Sequence, residues 1–201
     1  MIANKLQRTL EVFTAFLFLN LLWILFCLPI ITIYPSTLAL FHVVREWKTT
    51  GIDYEIGKLF ISSFKKNFAD YFWVGIIWLG LGTLLIIDFF VLFTTTYIQN
   101  GFVVGLLFFG TFFFIGMTVY LFPITVNFRL SKKSIVKNAF LFTIGKLGTT
   151  ISVVLLLASL LIICYFVPYL LWIVGSVAAF FSYTIISGLN QQLWNKTEEE
   201  I

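Results

Sequence analysis

The chain has 201 residues, of which 60% are hydrophobic, 19% aromatic and only 11% charged, and its mean hydropathy is +1.02. Soluble domains carry about 25% charged residues, so this composition excludes the soluble and disordered classes and indicates an integral membrane protein. The net charge of +4 is therefore read as evidence on orientation in a membrane, and no nucleic-acid partner is expected.

The first charge-free tract, residues 12–44, predicts one full membrane-spanning helix followed by a shorter segment. One crossing takes about 20 residues, and residues 12–33 meet this length. Residues 34–47 are short for a crossing, although Pro35 is suited to the first turn of a helix. Two alternatives stay open: this segment returns across the membrane as a short helix, or it is an interfacial or re-entrant element.

Two basic amphipathic segments, residues 55–70 and 131–141, precede the second and third apolar tracts. In both, apolar residues recur at three- and four-residue spacing while lysines fall on the other face, as in helices at a membrane interface. Ser131 is suited to cap the second helix, whose predicted inward residues are Ile135, Ala139 and Phe140. Two interpretations remain for the lysines, contact with anionic headgroups or docking of a cytoplasmic partner. These lysines are Lys65, Lys66, Lys132, Lys133 and Lys137.

The second and third tracts are each long enough for a helical hairpin, because two crossings take about 40 to 45 residues. Each tract divides at a turn signal, Gln99-Asn100-Gly101 in the second and Pro168 in the third. The resulting spans are predicted near 71–97, 102–127, 147–167 and 169–190.

The predicted fold is therefore all-α: a polytopic transmembrane helical bundle with five full-length spans plus a short return or re-entrant helix and two basic amphipathic interfacial segments. We expect a single integral membrane domain over residues 1–201, with hairpins near 12–49, 71–127 and 147–190.

The basic residues predict the orientation. If residues 35–49 return across the membrane, all thirteen Lys and Arg residues fall on one side. If that segment stays at the surface and the N-terminus is outside, Lys5 and Arg8 lie opposite the rest. Cytoplasmic loops carry an excess of Lys and Arg, so the first arrangement is favoured, with both termini cytoplasmic in the cell membrane. The apolar stretch after Arg8 is longer than the core of a signal peptide and is interpreted as a retained span.

A search for catalytic and ligand-binding motifs finds none. His42 is the single histidine, Cys27 and Cys164 lie within apolar runs, and the sequence has no P-loop and no HExxH motif. We therefore predict no catalytic residue, cofactor or metal ion, and no enzyme. Asp88 is the one carboxylate within a predicted span, where it marks an ion or substrate pathway, or is protonated or hydrogen-bonded to a neighbouring helix. The candidate partners are the turn at residues 94–96 and, if its helix returns, His42.

The first tract also carries a family resemblance. The run NLLWILFCLPIITIYP, residues 20–35, resembles the N-terminal signature of the YesL-like family, and residues 64–68 and 134–139 resemble further family segments. The family comprises small bacterial integral membrane proteins whose domain has no assigned function, typically found beside carbohydrate uptake and degradation genes in Gram-positive bacteria. The resemblance implies a helper in sugar import and supplies no catalytic residue. The signature residues are Asn20, Trp23, Pro29, Thr32 and Pro35.

Taken together, these observations favour a non-catalytic membrane accessory or scaffold protein associated with carbohydrate uptake. The alternative is a small stand-alone transporter or channel for a solute or ion. The expected partners are membrane lipids and a sugar importer or another membrane protein. A second copy of the chain is a further candidate, because Gly101 and Gly105 have the spacing of closely packed helices.

Overall fold

The computed structural model describes residues 2–52, 55–94, 101–128 and 130–199, and every regular element within these ranges is helical. The all-α prediction is thus confirmed. The α-helices are α1 (Ile2–Cys27), α2 (Ile33–Thr50), α3 (Ile56–Thr94), α4 (Gly101–Asn127), α5 (Lys132–Gly145), α6 (Leu147–Phe166) and α7 (Val174–Glu199). Two 3₁₀ helices, Ile30–Thr32 and Pro168–Trp172, join α1 to α2 and α6 to α7.

The short helix α2 lies at the centre of the bundle, in contact with α1, α3, α4 and α7. Ten of its 18 residues are buried, and Leu38 and Val43 are completely inaccessible. Pro35 lies in the first turn, as predicted, where its missing N–H removes no helical hydrogen bond. The helix is therefore buried within the bundle, while its return across a membrane and its interfacial or re-entrant position both remain predictions.

The helix α3 is longer than the sequence pattern predicted. The basic amphipathic segment and the following apolar span form one continuous helix of 39 residues, rather than an interfacial helix followed by a separate span. No proline lies between Ile56 and Thr94 to interrupt the backbone hydrogen bonds, so the helix continues through the change in polarity at Asp70. α2 packs closely on its first half, since a Cβ at Gly75 would lie 2.8 Å from the Cβ of Tyr34.

The helix α5 begins where the sequence predicted. The Oγ of Ser131 accepts a hydrogen bond from the N–H of Ser134, which is the expected N-cap. Ile135 and Ala139 are buried against α4, as predicted, whereas Phe140 is 41% exposed and stacks on Phe113 of α4.

By length and composition, four helices of the described chain could cross a membrane: Gln7–Cys27, Ile56–Thr94, Gly101–Asn127 and Leu147–Phe166. Val174–Gly188 is a shorter apolar helix. The predicted fifth full-length span therefore remains a prediction. Gln99 and Asn100 of the predicted polar turn between α3 and α4 lie outside the described residues.

Candidate functional site

The signature residue Asn20 forms a buried polar bridge between the two ends of the chain. Its side-chain amide donates to the carbonyl of Leu171 at 3.0 Å and accepts from the N–H of Ser176 at 3.0 Å. Ser176 lies in the first turn of α7, where backbone N–H groups have no helical partner, so Asn20 of α1 satisfies a free group of a distant helix. The Ser176 hydroxyl returns the contact by donating to the carbonyl of Phe16 at 2.8 Å.

Trp23 connects α1 to α2 and shapes the same junction. Its indole Nε1 donates to the hydroxyl oxygen of Thr37 at 3.2 Å. On its other side the ring approaches Gly175 of α7, where a Cβ would lie 2.7 Å from the Trp23 ring and 2.6 Å from the Asn20 amide oxygen. Gly175 therefore permits an approach of α7 to α1 that a larger residue would prevent.

Thr32, Pro29 and Pro35 build the connection between α1 and α2. The Thr32 hydroxyl donates to the carbonyls of Phe26 and Pro29, and the Ser36 hydroxyl donates to the same Phe26 carbonyl at 2.9 Å. These bonds satisfy carbonyls at the end of α1, which would otherwise lack partners. The five signature residues thus have a structural role in this hairpin and its contact with α7.

A central cavity of about 270 Å³ lies next to this junction, between α1, α2, α4, α6 and α7. Its lining, in the part of the chain that the structure describes, contains no charged residue. Thr37 and Thr118 donate their hydroxyls to backbone carbonyls of their own helices. Ser182 is 4% exposed, and its hydroxyl has no hydrogen-bond partner in the part of the chain that the structure describes.

The two candidate ionisable residues are not brought together. His42 is half-buried on α2, close to Lys66 of α3, and its Nδ1 has no hydrogen-bond partner among the described residues. Asp88 lies farther along α3, about 33 Å from Lys66 at the usual helical rise. The hypothesis that His42 pairs with Asp88 is therefore wrong.

Asp88 is exposed and lies near the end of α3, about 9 Å along the axis from Thr94. Its surroundings are apolar, in a shallow cavity of about 330 Å³ between α3 and α4. Within the described residues its carboxylate has no hydrogen-bond or ion-pair partner. The cavity is lined by Leu85, Asp88, Val91, Leu92, Val103, Leu106 and Leu107.

The five candidate lysines are all exposed, in two groups. Lys65 and Lys66 lie on the first half of α3, after the buried residues Phe60 and Ser63. The other three, Lys132, Lys133 and Lys137, line the edge of an apolar groove formed by α3, α4 and α5.

Sequence reasoning missed the residues that complete the Asn20 bridge. Leu171 and Ser176 are 151 and 156 positions away in sequence. It also missed a second interhelical hydrogen bond, in which the Tyr183 hydroxyl of α7 donates to the side-chain oxygen of Asn127 of α4 at 2.7 Å. A buried polar side chain within a membrane helix was the available signal for both, because such groups need partners.

The fold and these contacts define a helical protein with membrane-spanning segments, in which the buried polar side chains mostly hold helices together. A family model described as "Protein of unknown function, DUF624" matches residues 16–89, which contain all five signature residues.

Three proteins of Bacillus subtilis (strain 168), each described as uncharacterized, are similar over most of the chain. YteU is 27% identical over 92% of this chain and 81% of its own length. YesV is 26% identical over 90% of this chain and 85% of its own, and YesL is 24% identical over 88% and 85%. These matches confirm that the chain is related to the YesL-like proteins. No solved structure matches it.

Proposed function

We propose that this protein is a non-catalytic membrane accessory or scaffold that acts with a carbohydrate importer. The observation that carries the proposal is the lining of the central cavity: among the described residues no charged side chain lines it, and the hydroxyls of Thr37 and Thr118 are already bonded to carbonyls of their own helices. A pathway for a sugar or an ion needs polar groups along its length to replace the water that the solute loses. The exposed surfaces of the bundle are therefore the better candidates for function.

The buried polar side chains support the same proposal, because most are engaged in contacts within the protein. Asn20, Trp23 and Ser176 join α1 to α2 and α7, and the Tyr120 hydroxyl contacts that of Thr150 at 3.1 Å between α4 and α6. Such hydrogen bonds stabilise membrane bundles without taking part in transport. The link to carbohydrate uptake is supported by the family resemblance.

We also propose a cell-membrane location with both termini in the cytoplasm. The α1–α2 hairpin supports this orientation. The ring centroids of Phe16 of α1 and Trp47 of α2 are 5.0 Å apart, so Arg8 and Lys48 lie towards the same end of the hairpin. The connection at the other end is apolar and exposed, with Leu28 and Ile30 both 71% accessible. An apolar connection in which the Thr32 and Ser36 hydroxyls bond the carbonyls of Phe26 and Pro29 is suited to hydrocarbon, which favours a re-entrant hairpin.

Copurification from native membranes tests the functional proposal. A tagged chain, crosslinked before solubilisation, should retain subunits of a carbohydrate importer. Two variants remove the exposed lysine groups, and each is compared with wild type for the importer subunits that it retains. The first combines Lys65→Gln and Lys66→Gln, and the second combines Lys132→Gln, Lys133→Gln and Lys137→Gln. Lys58→Gln is the control, because Lys58 is exposed and already paired with Glu55 at 3.0 Å.

Reconstitution separates the two functional classes. Purified protein in liposomes should not accelerate the entry of sugars or small ions over empty liposomes. Solute entry catalysed by the chain alone would contradict the accessory role and would favour the transporter alternative. Failure to retain any importer subunit after crosslinking would contradict the proposed partner.

A further inference from the structure

A groove on the outside of the bundle combines an apolar floor with a basic edge. It has a volume of about 650 Å³, within the range of about 300 to 1,000 Å³ that is usual for ligand sites. We call it the α5 groove. It lies between α3, α4 and α5: Val74 and Leu81 of α3 mark the two ends of its apolar floor, and Lys132, Lys133, Val136 and Lys137 of α5 line its side.

The helical register of α5 decides which lysines lie beside the groove. Ile135, Ala139 and Thr143, spaced by four residues, are buried against α4 and fix the orientation of the helix. Lys133 and Lys137, which have the same spacing, are then placed together on the exposed face beside the groove. Lys132 is the first residue of α5, and its side chain lines the groove from the start of the helix.

The charge of the α5 groove is of one sign. No Asp or Glu lines it, and within the described residues none of its lysines has an ion-pair partner. The Nζ of Lys132 lies 5.9 Å from the ring centroid of Tyr71, which orients this ammonium group over the start of the groove. The site is therefore complementary to an anion joined to an apolar group.

The pattern of polar and apolar residues along α3 indicates at what depth in the membrane the α5 groove lies. Asp70 is the last charged residue before Asp88, and the exposed Trp73, 72% accessible, is of the type that marks a membrane interface. The lysine edge at Tyr71 is thus level with headgroups. From Val74 to Leu81 the floor extends about 10 Å along α3 into the apolar part.

We propose that the α5 groove is a specific site for one anionic phospholipid, whose phosphate is held by the three lysines and whose acyl chain lies along the floor. Basic pockets between membrane helices on the cytoplasmic side recognise anionic headgroups in this way. A free phosphate would leave the apolar floor unused, and a zwitterionic lipid would supply no net negative charge for the lysines. The occupant must therefore have both parts.

The test measures lipid retention by purified full-length protein, and it needs no importer partner. Protein in detergent is exchanged into mixtures of phosphatidylglycerol and phosphatidylcholine, and bound lipid is quantified by native mass spectrometry. Wild type should retain phosphatidylglycerol preferentially. The triple variant Lys132→Gln, Lys133→Gln, Lys137→Gln should lose about tenfold or more of that preference, because each lysine contributes to anionic-lipid attraction.

Three further variants give the experiment its controls. Lys65→Gln with Lys66→Gln removes exposed lysines outside the groove and should leave retention unchanged. Replacing the three groove lysines by arginine keeps the charge and should keep retention. Val136→Trp fills the groove without changing charge and should reduce retention, a result that does not depend on folding of the triple variant.

Several outcomes would overturn the proposal. Equal retention of the two lipids by wild type would show no anionic site. Equal losses from the α3 and α5 lysine variants would show general attraction to headgroups rather than a built site. Full retention by Val136→Trp would show that the acyl chain does not lie in the α5 groove.

Discussion

A substitution at Asn20 tests whether the buried polar side chains stabilise the helical bundle. The Asn20 side chain is completely buried and makes one hydrogen bond to Leu171 and one to Ser176, so Asn20→Ala removes two hydrogen bonds that join α1 to the segment leading into α7. The carbonyl of Leu171 and the N–H of Ser176 then lose their partner. We expect the variant to fold and to be less stable than wild type.

The number of lost hydrogen bonds gives the expected loss of stability in this variant. Interhelical hydrogen bonds in membranes average about 0.6 kcal/mol and reach about 1.7 kcal/mol, so two bonds contribute about 1 to 3 kcal/mol. Replacing asparagine by alanine within a helix recovers about 0.5 kcal/mol of helix propensity. Truncation of Asn20 also leaves a cavity beside Gly175, which lowers stability and offsets the gain in helix propensity. The free energy of unfolding should therefore fall by about 1 to 3 kcal/mol.

The assay is reversible unfolding in mixed micelles, followed by tryptophan fluorescence. Asn67→Ala is the matched control, because the Asn67 amide donates at 3.1 Å to the Ser63 hydroxyl of its own helix. This control should change the free energy of unfolding by less than about 0.5 kcal/mol. If Asn20→Ala unfolds like Asn67→Ala, the Asn20 bridge does not stabilise the bundle and the reasoning fails.

Three further predictions concern packing, charge and topology. Gly175→Ala should lower the melting temperature, whereas Gly188→Ala on the same helix, with open space around it, should leave it unchanged or raise it. Asp88→Asn should retain both stability and any cellular phenotype, and a folded but inactive variant would favour transport instead. A cysteine at Ile30, in a cysteine-free background, should resist an impermeant maleimide from both sides of the membrane, and labelling from outside would show that the hairpin crosses.

The helices could be predicted from the sequence because lipid leaves the backbone few alternatives. Long charge-free tracts must satisfy their own hydrogen bonds, so the apolar runs that became α1, α4 and α6 were visible from composition. The N-cap at Ser131 was equally local, since the capping oxygen and the N–H of Ser134 are three residues apart. Local rules predicted local structure.

The bounds and contacts that depend on distant residues could not be predicted in this way. The change in polarity at Asp70 suggested two elements, yet no backbone feature stops α3 there. The pairing of His42 with Asp88 agreed with their chemistry, but His42 of α2 lies beside Lys66, whereas Asp88 lies about 33 Å farther along α3. Likewise, nothing near Asn20 in the sequence specifies that its partners lie in the connection between α6 and α7.

The proposed lipid site and the proposed scaffold role constrain each other. If one anionic lipid occupies the α5 groove, its phosphate contacts Lys132, Lys133 and Lys137, and these side chains are then engaged with the lipid rather than with an acidic partner. Lys65 and Lys66 remain as the exposed basic pair outside the groove, on a part of α3 that packs against α2. The α3 pair should therefore determine importer copurification while the α5 group determines lipid retention, because a lipid bound in the groove prevents a protein partner from reaching the α5 lysines.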